Sequence, residues 1–236
     1  MASHGKVNSK AETQLLLLVE GVNDCHAVFQ IMWAIYKKDP PFGIHECGND
    51  EGVLESLSAR IVEPQPRQQV LGIVLDADID GIERDAVIKA RLDQIRARVG
   101  SRYDVPDQIS EEGLVIDPRP ERPDADRLPK LGIWLMPNNK TFGMLEDVLS
   151  ASLLDHFREY TEKVVTQAKT DQIASYRDAH KSKAIIRTLM SWQDPPDVQY
   201  IGLAIKKNIF GNLDVSCRTF VAWLDRLFDI PSEQPL

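Results

Sequence analysis

The 236-residue sequence lacks the features that mark membrane and exported proteins. Its longest apolar run, Leu15 to Val19, is too short to cross a bilayer, which takes about 20 residues. Residues 1–10 have no apolar core of the kind that a signal peptide carries. We therefore expect a cytoplasmic protein that has no membrane partner.

Cysteine is also scarce. Cys25, Cys47 and Cys217 form no Cys-x-x-Cys pair, and an odd number of cysteines gives no disulfide framework. His45 lies close to Cys47, but no second Cys/His pair completes the four ligands of a zinc site. The sequence predicts buried, reduced thiols.

Basic residues are outnumbered, and the formal net charge is -8. This balance argues against a protein that coats nucleic acid by bulk attraction. It does not exclude an enzyme that acts on nucleic acid, because acidic residues gathered around a metal lower the net charge. No Walker A sequence is present, so a fused ATPase domain is excluded.

Apolar runs of strand length alternate with segments of helical period through the first hundred residues. Strands are predicted at 15–19, 42–47 and 69–75, and helices over 26–38, 53–62 and 83–99. The order βαβαβα is typical of a parallel sheet with helices on both faces.

The pattern changes after residue 100. Short strands at 113–117 and 131–136 predict an antiparallel hairpin, and helices are predicted over 145–165, 175–192 and 218–228. The expected fold class is α/β, a Rossmann-like central parallel sheet with an added antiparallel edge hairpin and C-terminal helices. The sheet domain would span 13–150, and a helical extension packed on it would span 151–236.

Carboxylates follow two of the predicted strands. Glu20 comes directly after the first strand, and Asp76, Asp78 and Asp80 follow the third. The carboxyl ends of parallel strands meet at one edge of a sheet, where ligands collect. Residues two apart in an extended segment point the same way, so Asp76 and Asp78 would present adjacent carboxylates. Such clustering favours Mg²⁺ or Mn²⁺, although Asp80 could equally serve a turn with Gly81.

The segments LLVEGVND (17–24) and IVLDADIDG (73–81) together resemble the Toprim domain. That family includes topoisomerases, primases, OLD-type nucleases and small stand-alone proteins, several of them linked to phage defence. Its pattern is a Glu after the first strand and an Asp-x-Asp after the third, which Glu20, Asp76 and Asp78 match. The resemblance covers about residues 13–150 and implies a metal site on a parallel sheet.

A later segment, 132–149, resembles the stand-alone and OLD-type branch of that family. The resemblance implies that a downstream acid, Glu146 or Asp147, joins the metal site. It also implies a functional lysine, for which Lys181 and Lys183 are the candidates. The alternatives are ordinary ones: acids stabilise the first turn of a helix, and lysines cover solvated helix faces.

The sequence therefore predicts a Mg²⁺- or Mn²⁺-dependent nuclease that cuts DNA or RNA, with a role as a phage-defence effector. The rival hypothesis is a non-catalytic Toprim module that acts as a regulatory or partner-binding subunit. Primase-like nucleotidyl transfer is a third and weaker hypothesis, since the extra domains are missing. The sequence leaves open whether the chain acts alone, as a homo-oligomer, or with a separate ATPase or defence-system partner.

Overall fold

A computed structural model describes residues 14–62, 69–194, 201–207, 209–211 and 213–231. The strands are β1 (Leu15–Val19), β2 (Gly43–Glu46), β3 (Val70–Asp76), β4 (Leu114–Ile116) and β5 (Lys130–Met136). The α-helices in this part of the chain are α1 (Val22–Tyr36), α2 (Asp50–Val62), α3 (Val87–Val99), α4 (Leu145–Ala151), α5 (Asp155–Thr170), α6 (Lys181–Ser191), α7 (Ile201–Lys206), α8 (Leu213–Ser216) and α9 (Arg218–Phe228).

The strands form one sheet in the order β2–β1–β3–β5–β4. β1 pairs in parallel with β2 and β3, and β3 pairs in parallel with β5. β4 runs antiparallel to β5 at the edge of the sheet. The predicted fold class, a Rossmann-like α/β sheet with one antiparallel pair, is confirmed.

Both faces of the sheet are buried. Leu16 and Leu18 belong to a core beneath α2 and α3, whereas Leu17 and Val19 belong to a larger core on the opposite face. Alternate residues of a strand point to opposite faces. A strand that lies between two helical layers is therefore apolar at every position, which explains the continuous run of β1.

The larger core joins the sheet to the C-terminal helices. It contains Val70 and Trp134 from the sheet together with Val165, Ile185 and Leu227 from α5, α6 and α9. Among the described helices beyond residue 150, α9 packs on β3, β4 and β5, whereas α5 packs on α6 and α6 packs on α4. None of the described helices has the length and apolar character needed to cross a membrane.

Two glycines make room for α9 on the sheet. Gly72 of β3 and Gly132 of β5 are register partners. A Cβ at Gly132 would lie 2.4 Å from Leu227 Cδ2, and a Cβ at Gly72 would lie 2.8 Å from the same atom. Because neither residue has a side chain, Leu227 packs against the main chain of both strands.

Some helix boundaries differ from the predicted ones. The single helix predicted over 145–165 is wrong, because the chain turns between α4 and α5, where the backbone of Leu154 leaves the helical conformation with ψ at 141°. The helix predicted from residue 175 begins later, at Lys181, after a 3₁₀ turn over Asp178–His180. The short helices α7 and α8 were missed, since six and four residues give too few repeats to show a helical period.

Candidate functional site

The acidic residues that follow β1 and β3 leave the sheet at the same edge. Leu18 pairs with Ile73 in the parallel register. Beyond the strand ends, Glu20 Oε1 accepts a hydrogen bond from the main-chain N–H of Asp76 at 2.7 Å. The fold thus brings Glu20 into direct contact with the Asp-x-Asp segment.

Asp76 is held by two further elements. Its main-chain carbonyl accepts a hydrogen bond from Arg91 Nε of α3 at 2.9 Å. Its carboxyl Oδ1 accepts one from the N–H of Leu145, the first residue of α4, at 3.2 Å. Together with Glu20, these contacts fix both the main chain and the side chain of Asp76.

Burial raises the pKa of these carboxyl groups, and their proximity adds to the effect. Burial raises the pKa of Glu20 to about 7. The hydrogen bond from Asp76 lowers this pKa, and the charge of Asp24 raises it further. The pKa of Asp76 lies well above its ordinary value, because of burial and then because of the charges of Glu20, Asp24 and Asp78. Carboxyl groups that share such a site resist ionising together unless a cation is present.

Glu146 and Lys183 complete the surroundings of this site. Glu146 is buried, with 6% of its surface exposed, and its charge raises the pKa of Asp24 beyond the effect of burial, to about 6. Lys183 Nζ lies 3.9 Å from Glu146 Oε1. Burial raises the pKa of Asp78, whereas the charges of Arg91 and Lys183 lower it. We refer to Glu20, Asp24, Asp76, Asp78 and Glu146 as the acidic cluster.

Asp147 has a structural role at the start of α4. Its Oδ2 accepts a hydrogen bond from the N–H of Met144 at 2.8 Å in a capping box. Its Oδ1 accepts one from Ser182 Oγ of α6 at 2.5 Å. Asp147 therefore ties α4 to α6 and lies outside the acidic cluster.

Two other predicted site residues also have partners elsewhere. Lys181 Nζ lies 2.5 Å from Glu162 of α5. Asp80 forms an exposed ion pair with Arg177, with 2.7 Å between Oδ1 and the guanidinium. Of the two candidate lysines, the structure brings Lys183 to the acidic cluster.

The predicted site residues did not include Asp24 and Arg91. Asp24 accepts a hydrogen bond from the N–H of Gly21 at 3.1 Å and so caps α1, and the charge of Glu146 also acts on its pKa. Arg91 shares the buried face of α3 with Val87 and Ile95, four residues away on either side. An arginine on an apolar helix face is a signal that the sequence carried, since charged residues are seldom fully buried unless they are paired.

The chemistry of the acidic cluster suits a hard divalent cation. Its donors are carboxylate oxygens, the ligands that Mg²⁺ and Mn²⁺ prefer. One oxygen of Glu20 and one of Asp76 are held by main-chain N–H groups, and the second oxygen of each accepts no hydrogen bond from the described residues. Within the described ranges, however, no three acidic, histidine or cysteine side chains already stand in a metal-holding arrangement. A cation would therefore have to draw the side chains together.

Comparison with known proteins gives one family. A family described as a protein of unknown function (DUF3226) matches residues 14–229. No curated protein and no solved structure matches the chain.

Proposed function

This chain belongs to the DUF3226 family of unknown function, and we propose that it is a Mg²⁺- or Mn²⁺-dependent, Toprim-type nuclease that hydrolyses phosphodiester bonds in DNA or RNA. One observation carries the proposal. Glu20 contacts Asp76 at the carboxyl edge of a parallel sheet, where open α/β sheets bind their ligands, the charges of Asp78 and Glu146 act on Asp76, and Lys183 lies 3.9 Å from Glu146.

The residues divide into two roles. Glu20, Asp76, Asp78 and Glu146 would hold the cation through carboxylate oxygens. When bound, the cation supplies positive charge at the phosphate and lowers the pKa of a water molecule. Lys183, whose side chain is 46% exposed, can reach a phosphate oxygen at the rim of the acidic cluster. Its ammonium group would offset the charge that develops as the bond breaks.

A cytoplasmic location and a phage-defence role are parts of the same proposal. All three cysteines are free, Cys25 and Cys217 buried and Cys47 half-buried, which suits a reducing compartment. The defence role, and the need for a separate ATPase or other partner, rest on the Toprim resemblance alone.

One observation favours the rival, a non-catalytic Toprim module that binds metal weakly. The described acidic side chains are not pre-arranged as three ligands. A regulatory or partner-binding subunit would need nothing more than the fold and a weak cation site.

An assay on the full chain separates the two functions. The protein is incubated with single- and double-stranded DNA, RNA and tRNA in Mg²⁺, in Mn²⁺ and in EDTA. We expect metal-dependent cleavage of at least one substrate, with loss of cleavage in Glu20→Ala. Asp80→Ala is the matched control, because it removes a carboxylate from the same loop outside the acidic cluster. Absence of cleavage with both metals, or equal activity of Glu20→Ala and the wild type, would contradict the nuclease and favour the non-catalytic module.

A further inference from the structure

Arg91 is a charged side chain buried beneath the acidic cluster. It is 2% exposed and lies on the inner face of α3. Burial of a guanidinium is expensive unless its donors are paired. The partners of its hydrogen bonds therefore indicate the role of the buried charge.

The donors of Arg91 join three elements. Nε donates to the carbonyl of Asp76 at the end of β3, at 2.9 Å. Nη1 donates to Asp50 Oδ2 at the start of α2, at 2.8 Å, and to Gln94 Oε1 at 3.1 Å. The planar fork of the guanidinium thus links the Asp-x-Asp segment to the first turn of α2.

The contact with Asp76 falls on the peptide that leads to Asp78. The N–H of this peptide, that of Ala77, donates to the carbonyls of Gly143 at 2.8 Å and Met136 at 3.2 Å. The carbonyl of the same peptide accepts from Arg91. Both ends of the peptide plane are therefore held, and the direction in which the chain continues to Asp78 is set.

We infer that Arg91 is a positioning residue for the proposed metal site, which fixes the main chain carrying Asp76 and Asp78 without touching metal or substrate. The inference rests on the proposed function, because it concerns the same site. Residues that orient metal ligands contribute about 10–100-fold to metal affinity or activity.

The charge of Arg91 acts in the same direction as its geometry. It opposes the effect of burial on the pKa of Glu20 and of Asp78. Burial alone would raise the pKa of Asp50, but the hydrogen bond and charge of Arg91 bring it below its ordinary value. A fixed internal cation thus faces the acidic cluster from the side of α2 and α3.

The test compares Mn²⁺ affinity by isothermal titration calorimetry in three variants of the full chain. Arg91→Met, which removes the charge and the hydrogen bonds to Asp76, Asp50 and Gln94, should weaken Mn²⁺ binding about 10–100-fold. Arg91→Lys, which keeps the charge but lacks the fork, should lose less. Arg98→Met should bind as the wild type does, since Arg98 pairs with Glu51 and so links the same two helices away from the acidic cluster.

A second readout separates positioning from a general loss of structure. Because Arg91 acts through the metal ligands, saturating Mn²⁺ should restore kcat for cleavage by Arg91→Lys close to the wild-type value. Should Arg91→Met fail to fold, as judged by circular dichroism, Arg91→Lys decides alone. Wild-type Mn²⁺ affinity in the folded Arg91 variants would overturn this inference and leave the nuclease standing. Absence of Mn²⁺ binding by the wild type would overturn both.

Discussion

Lys181 and Lys183 lie within one turn of each other at the start of α6, yet their surroundings differ. Lys183 contacts the acidic cluster through Glu146, whereas Lys181 pairs with Glu162 of α5. Lys183→Ala should therefore lower kcat for phosphodiester cleavage by about 100-fold, the usual effect of removing one group that stabilises transition-state charge. Lys181→Ala should cleave at close to the wild-type rate. Equal losses in the two variants would contradict the assignment.

Asp78 is the cluster residue best suited to a test of metal binding by stability. Its charge helps to raise the pKa of Asp76, so Asp78→Asn should relieve repulsion in the metal-free protein and raise its Tm by a few degrees. The variant should also lose most of the Tm increase that millimolar Mn²⁺ gives the wild type. Differential scanning fluorimetry measures both effects, and Asp80→Asn is the control. A Mn²⁺ response equal to that of the wild type would mean that Asp78 is not a ligand.

At the level of single residues, the sequence predicted the contacts that follow from the order and direction of the strands. The meeting of Glu20 with Asp76 follows from two parallel strands that end at one edge. The choice between Lys181 and Lys183 did not follow, because neighbours on one helical turn differ only in tertiary contacts. Arg91 was missed since its partners, Asp50 and the carbonyl of Asp76, are distant in sequence and, in one case, belong to the main chain.

Among the elements, the contact of α9 with the sheet invites a direct test. Gly132→Ala should lower the free energy of unfolding by about 1–3 kcal/mol, because its methyl group would overlap Leu227. In Gly132→Ala/Leu227→Ala the overlap is relieved, so the loss should be smaller than the sum of the two single losses. Urea unfolding of the wild type, both single variants and the double variant measures this coupling. If the two single losses of unfolding free energy simply added up in the double variant, α9 would be able to shift away from the new methyl group without loss of stability.

The strands and most of the longer helices were predictable, whereas the break between α4 and α5 and the short helices α7 and α8 were not. β1, β3 and β5 carry continuous apolar runs, interrupted only by Lys130 and Asp76 at strand ends, because they lie between two helical layers, and this pattern is visible in the sequence. The break between α4 and α5 contains no proline or glycine, so the local sequence does not predict it. α7 is fixed instead by a close tertiary contact, since a Cβ at Gly202 would lie 2.8 Å from the main-chain oxygen of His26.

For the whole molecule, the acidic cluster predicts how stability depends on pH. The pKa of Glu20 is raised to about 7 and that of Asp24 to about 6, so the folded state binds these protons more tightly than the unfolded state does. Their contribution is therefore complete below about pH 4 and is lost as pH rises through about 7. Between pH 5 and pH 8 the metal-free protein should lose about 2–4 kcal/mol of unfolding free energy from this source.

Chemical denaturation at several pH values in EDTA checks this expectation. Glu20→Gln, which cannot ionise, should flatten the profile. Mn²⁺ should restore stability most strongly above pH 7, because protons no longer compete for the carboxylates. An identical pH profile for Glu20→Gln and the wild type would place the titrating groups elsewhere.

The cover that α9 places over Gly72 and Gly132 also has a consequence during synthesis. A ribosome completes the strands of this sheet at Met136 but completes α9 only at Phe228. At roughly 5–20 residues per second, the ~90 intervening residues take about 5–18 s to translate. Throughout that interval α9 has yet to cover Gly72 and Gly132 in the nascent chain, and we expect a ribosome-associated chaperone to bind the apolar surface that is left open there.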